Sequence, residues 1–230
     1  MMRIGILEAG EVNPALRPTY GTYPQMFARL LDGHGFEFQT WSVVNGEFPA
    51  SPADADAWLI TGSRHGVYEG HAWIPPLEDF ICAAKAASVP MAGICFGHQI
   101  MAQALGGAVA KSGKGWGVGR QEYAVGDRPM AILAFHQDQV QIPPAGAEVT
   151  ATSDFCEFAA LSYGDWGRSW QAHPEFTPAY CRDLLAIRAG VAFSHDHAAD
   201  ALTTVDDPID SPAVAAQIAA FFLAHDPASI

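Results

Sequence analysis

Positive charge is scarce in this sequence. Lys and Arg total 12 against 25 Asp and Glu, a formal net charge of −13. That balance argues against nucleic acid or an anionic membrane surface as a partner. Long apolar runs are missing too: half the residues are hydrophobic, yet no run approaches the ~20 residues that span a bilayer. The opening stretch 1–12, "MMRIGILEAGEV", runs straight into acidic residues and lacks the h-region and cleavage site of a secretory signal. The expected location is therefore the cytoplasm. Cysteines number 4, at positions 82, 95, 156 and 181, with no C-x-x-C pair. Neither a zinc site nor a disulfide framework is indicated, and no metal or cofactor is expected. Repeats and low-complexity linkers are also absent, and 230 residues suffice for a single domain, 1–230, with a sizeable core.

What is present is an alternation of strand-like and helix-like segments. Residues 3–10, 36–44, 57–63 and 89–95 read as strands, and 23–35 and 74–88 as helices with apolar residues at helical spacing. That order implies a mostly parallel sheet with helices on both faces. From about residue 108 shorter strand-like runs follow, at 107–112, 119–125, 130–135, 147–153, 157–163 and 169–176. Residues 174–190 lead into a helix, and "SPAVAAQIAAFFLAHD", 211–226, is a helix opened by Ser-Pro. The Asp-rich stretch 196–210 is expected to be a solvated segment or exposed loop.

Within "MAGICFGHQIMAQALGG", 91–107, Cys95 falls between an apolar strand and a helix expected over 99–105. A side chain on a tight strand-to-helix turn projects away from the sheet, and the helix presents unpaired N–H groups towards it. Those dipoles favour a thiolate and can hold a developing oxyanion. Glycines 93 and 97 are the small neighbours that such a crowded turn needs. The other three cysteines are expected to pack in the core, Cys82 and Cys181 in helices and Cys156 at the start of an apolar strand. In a doubly wound sheet, reactive groups gather at the carboxyl ends of strands. "WQAHPEF", 170–176, supplies a base there, and alternation along a strand would point His173 and Glu175 to one side. A thiol needs a neighbouring imidazole, and the imidazole needs an acceptor that fixes its tautomer. Cys95, His173 and Glu175 are the economical set.

These residues carry a resemblance. "GICFGHQIMAQALGG" with the downstream "HPEF" resembles the class I glutamine amidotransferase family; "ITGSRHGVYE" is similar to its oxyanion loop and "FHQDQV" to its His-x-Asp-x-Val element. The match spans roughly residues 57–176. The resemblance implies a flavodoxin-like α/β three-layer sandwich with a mostly parallel central sheet, and hydrolysis of the glutamine side-chain amide through a γ-glutamyl thioester. It makes Cys95 the nucleophile, His173 the general base and then acid, and Glu175 the group that orients His173. The N–H of Phe96 and one from Gly62-Ser63 would form the oxyanion hole. Gln99 matches a position that helps to bind the amino-acid end of the substrate. His136 and Asp138 match the His-x-Asp element, with positioning rather than chemistry expected of them, and His98 is expected to support the turn.

Two departures narrow the reading. No synthetase segment follows the matched region within these 230 residues, so any ammonia released would pass to a separate synthetase subunit, or to none. The oxyanion loop reads Thr61-Gly62-Ser63-Arg64 and the base motif Gln171-Ala172-His173-Pro174-Glu175. Both variants look more like a stand-alone, γ-glutamyl-peptidase-like branch that resembles the amidotransferase part of GMP synthetase. Three functions stay open: a thiol amidohydrolase on glutamine or a γ-glutamyl peptide, another cysteine enzyme on a related fold, and a binding module that kept the fold. The expected partner is a small-molecule substrate, glutamine or a γ-glutamyl compound, and an acidic interaction surface is the other reading of the charge.

Overall fold

The computed structural model describes residues 1–226. In chain order its elements are β1 (Met2–Leu7), α1 (Arg17–Tyr20), α2 (Tyr23–Leu30), β2 (Phe36–Trp41), β3 (Ala57–Ile60), α3 (Ile74–Ala86), β4 (Met91–Ile94) and α4 (Phe96–Ala104). There follow β5 (Ala108–Lys111), β6 (Gly117–Val125), β7 (Arg128–His136), β8 (Asp138–Ile142), β9 (Glu148–Ala151), β10 (Ala160–Ser162), β11 (Gly167–Trp170), α5 (Pro178–Arg188), α6 (His195–Leu202) and α7 (Ser211–Leu223). The central sheet has 7 strands in the order β2-β1-β3-β4-β11-β10-β9. Strands β2 to β11 in that order pair in parallel, and β10 and β9 complete one edge antiparallel. Two hairpin-like pairs, β6–β7 and β5–β8, stand beside it. This is the flavodoxin-like sandwich that the family resemblance implies, and the mostly parallel sheet is the one that the strand–helix alternation predicts.

Strand periodicity sorts the core into layers. All of β3 is buried, but Ala57 and Leu59 join the cluster containing Phe27 of α2 and Ile218 and Phe222 of α7. Trp58 and Ile60 join the opposite cluster, with Leu77 and Ile81 of α3 and Ile100 and Met101 of α4. Helix entry is fixed locally. Thr22 and Gln25 form a reciprocal capping box at the start of α2, with the Gln25 N–H donating to Thr22 Oγ1 at 3.3 Å and the Thr22 N–H to Gln25 Oε1 at 2.9 Å.

Three expectations are corrected. The stretch 196–210 is not simply a loop: α6 occupies its first half, because Ser194 caps it by accepting from the His197 N–H at 3.1 Å and Ala198 is buried. Cys156 does not begin a strand; β10 starts at Ala160, although the thiol is buried as expected. Cys82 lies in α3 on its exposed side rather than in the core. Among the described residues no helix is long and apolar enough to cross a membrane.

The close seat of α4 on the sheet is what positions Cys95. A Cβ on Gly97 would collide with the carbonyl oxygen of Ile60, and one on Gly93 with the Gly97 backbone and Met101 Sδ. Backbone atoms cannot swing aside as a flexible side chain can. Gly97→Ala should therefore destabilise the protein by about 1–3 kcal/mol, read from the denaturant midpoint. An unchanged midpoint would mean that α4 can lift off the sheet freely.

Candidate active site

Helix α4 begins at Phe96, three residues earlier than the expected 99, because Cys95 itself makes the turn. Its φ of 53° and ψ of −103° lie where L-residues are strained. Holding a non-glycine residue there costs on the order of 1–3 kcal/mol and persists only where the surroundings over-determine it. Here the Cys95 N–H donates to Trp170 O at 2.8 Å, and the Cys95 carbonyl accepts from the Gln99 N–H at 3.0 Å. The residue is thus gripped from β11 on one side and from its own helix on the other.

Strand β11 ends at Trp170, so His173 and Glu175 lie in the loop beyond it, not on a strand. Their common orientation comes from a direct bond instead of strand alternation: His173 Nδ1 and Glu175 Oε1 are 2.7 Å apart. The His173 N–H donates to Leu133 O at 2.8 Å, and its ring stacks on Phe176 with centroids 4.0 Å apart and planes 9° from parallel. The Cys95 thiol lies near enough to the ring to act on its charge. Both side chains of the pair are sealed, at 4% and 0% exposure. Burial alone would depress the imidazole; the Glu175 carboxylate and the Cys95 thiol outweigh it and raise His173 to about 10. Among the described residues Glu175 Oε2 has no hydrogen-bond partner. Tyr23 and Tyr180, joined hydroxyl to hydroxyl at 3.5 Å, lie close enough for the Glu175 charge to raise both phenols, after burial as the main cause. Neither tyrosine carries a motif signal in the sequence.

The loop after β3 closes the other side. A Cβ on Gly62 would lie 2.8 Å from His173 Cε1 and 3.7 Å from Cys95 Cβ, so only glycine lets this backbone approach the imidazole so closely. Ser63 Oγ accepts from the His65 N–H at 3.2 Å, which turns the loop back on itself. Phe96, fully buried, contributes one of the orphan N–H groups in the first turn of α4.

The remaining predicted residues form a second tier. Gln99 Nε2 donates both to Asp138 O, at 2.8 Å, and to Gln171 Oε1, at 3.0 Å. His136 Nδ1 lies 3.2 Å from the same Asp138 carbonyl, and burial pushes its imidazole down to about 3, so the ring is neutral. The Asp138 carboxylate accepts from Tyr68 OH at 2.9 Å, which ties the β7–β8 connection to the Gly62 loop. Its pKa is raised, chiefly by burial. His98 points away from the thiol to Ser169 of β11, 2.7 Å from its Oγ, and burial lowers it to about 4. That agrees with a supporting role.

Comparison with known proteins points the same way. The family profile described as Glutamine amidotransferase class-I matches residues 41–183. A gamma-glutamyl peptidase 4 of Arabidopsis thaliana is 33% identical over 74% of this chain and 72% of its own length. A glutamine-hydrolyzing GMP synthase subunit from Archaeoglobus fulgidus is 35% identical over 68% of this chain and 85% of its own. The solved structure of a glutamine amidotransferase from Thermotoga maritima superposes with a TM-score of 0.75 over 97% of both chains at 16% identity, a likeness of fold.

The His173–Glu175 pair makes a signed prediction. Because the folded imidazole is raised above its ordinary 6.5, its stabilisation is complete below that pH and fades as pH climbs towards about 10. The stability difference between the wild type and Glu175→Gln should shrink across that window in thermal melts. Parallel curves from pH 6.5 to 10 would mean that the carboxylate does not hold the proton.

Proposed function

The chain belongs to the class-I glutamine amidotransferase family and is a cysteine amidohydrolase, and from that premise we propose that it cleaves γ-glutamyl amide bonds through Cys95, His173 and Glu175. The observation that carries this reading is the buried His173–Glu175 bond at 2.7 Å set against a cysteine held at positive φ. His173 takes the thiol proton, and the sulfur attacks the γ-carbonyl carbon. The resulting oxyanion is met by N–H groups of Phe96 and of Gly62-Ser63, aimed where charge develops. The imidazolium then gives its proton to the departing nitrogen, and a γ-glutamyl thioester remains. Water, deprotonated by His173, attacks that thioester and releases glutamate and the thiol. Glu175 fixes the tautomer of His173 and stabilises the imidazolium. Gln99, with both amide protons committed, has its carbonyl oxygen left for the α-ammonium of the substrate, and His136 and Asp138 hold this tier in place.

The substrate we infer is a γ-glutamyl peptide, and residues 1–230 act as one domain that needs no tightly bound synthetase. Support comes from the gamma-glutamyl peptidase relative and from Arg64. That side chain is exposed one residue past Ser63 and has no ion-pair or hydrogen-bond partner among the described residues. It suits the second carboxylate that a dipeptide carries and glutamine does not. The GMP synthase relative favours a second reading, ammonia supply to a separate synthetase subunit. Free thiols at all 4 cysteines fit a reducing, cytoplasmic setting.

Replacing Cys95 by Ala should abolish turnover with the fold intact by circular dichroism. His173→Ala should cost about 10²–10⁴-fold in kcat and Glu175→Gln less, since only the imidazole transfers protons. The reverse order would give Glu175 a direct chemical role.

On substrate, the purified chain should hydrolyse a γ-glutamyl dipeptide faster than glutamine at equal concentration. Arg64→Ala should raise KM for the dipeptide more than for glutamine. Glutaminase activity that appears only with cell extract, and no dipeptide cleavage, would favour the partnered reading.

A further inference from the structure

The loop between Gly62 and α3 carries three side chains that the amide chemistry does not use. Glu69 Oε2 lies 3.3 Å from His65 Nδ1 and 2.7 Å from His71 Nε2. The ligand atoms of all three lie within 4.8 Å of one another. We propose that His65, Glu69 and His71 form a binding site for a divalent transition-metal ion of borderline softness, Zn²⁺ above all.

The donor set and its spacing carry this inference. Two imidazole nitrogens and one carboxylate oxygen are a set that Zn²⁺ accepts, whereas Mg²⁺ and Ca²⁺ want oxygen alone. At Zn–N and Zn–O lengths of about 2.0–2.1 Å, a tetrahedral site has ligand–ligand edges of roughly 3.3 Å. The His65–Glu69 edge already has that length. The His71–Glu69 edge needs to open by only about half an ångström, within the bond lengths just given. These side chains can move: His65, His71 and Glu69 are 20%, 36% and 43% exposed. The ion would enter from solvent, and water would complete its shell.

The site is also braced. The His71 ring stacks on Trp73 with centroids 6.0 Å apart and planes 16° from parallel, and Trp73 packs on Phe96 at 5.4 Å. The His65 N–H is held by Ser63 Oγ. An ion here would pin the segment that brings Gly62 to His173. Paired cysteines are the usual sign of zinc in a sequence, and this cluster contains none.

The test separates this site from the thiol–imidazole site, which also attracts Zn²⁺. Cys95→Ala protein is dialysed to equilibrium against Zn²⁺ and the bound metal counted by mass spectrometry. The same is done with His71→Ala and Glu69→Gln added singly to that background, each checked for fold by circular dichroism. One ion should bind per chain in the parent, with affinity at least roughly tenfold weaker in each variant. Co²⁺ should give the parent a visible absorption band that both variants lack. Equal affinity in parent and variants, or no ion bound by the parent, would overturn the site. Because Cys95 is absent throughout, this outcome is independent of the γ-glutamyl reading.

Discussion

The bond between His173 and Glu175 sets the terms for everything around it. Both groups are sealed from water, and an ionised pair in such a place is tolerable only with excellent geometry. The geometry is supplied by the backbone: Leu133 of β7 holds the His173 amide, and the Phe176 ring lies flat against the imidazole. Removing either member would strand the other charge in a dry interior. The dry setting is also what lets the carboxylate raise the imidazole so far, because nearby charges act strongly where water does not screen them.

Around this pair the fold brings three chain segments to one point. The β4–α4 turn brings Cys95, the loop after β11 brings His173 and Glu175, and the loop after β3 brings backbone at Gly62. All three follow parallel strands that are neighbours in the sheet, β3, β4 and β11, which is where such sheets place their chemistry. Strain at Cys95 is the local cost of aiming the thiol between them. It is held in place by the Cys95–Trp170 bond across β4 and β11 and by the tight seat of α4 on β3. A second tier, Gln99–Asp138–Tyr68, links the turn, the hairpins and the Gly62 loop through hydrogen bonds of 2.8 and 2.9 Å.

Much of this was legible in the sequence because it rests on local signals. The buried runs 57–63 and 89–95 read as strands because their neighbours on both faces are helices, so nearly every residue is apolar. Gly93 and Gly97 marked the crowded turn, and the backbone contacts they avoid are now visible. Other features were not legible, each for a physical reason. The start of α4 was set by the unusual φ of Cys95, which no propensity encodes. The common direction of His173 and Glu175 was inferred from strand alternation and arises instead from a hydrogen bond in a loop. Helix α6 hid in a run of aspartates because its cap and alanines outweigh them, and Tyr23 and Tyr180 approach Glu175 only through tertiary packing.

The central claim is that acyl transfer to Cys95 precedes hydrolysis, and one measurement meets it directly. Wild-type protein is quenched in acid during turnover of a γ-glutamyl dipeptide and its peptides are mapped by mass spectrometry. The account predicts a γ-glutamyl group on the peptide containing Cys95, released by hydroxylamine as a thioester is. A γ-glutamyl group found on any other side chain, with Cys95 unmodified, would contradict it.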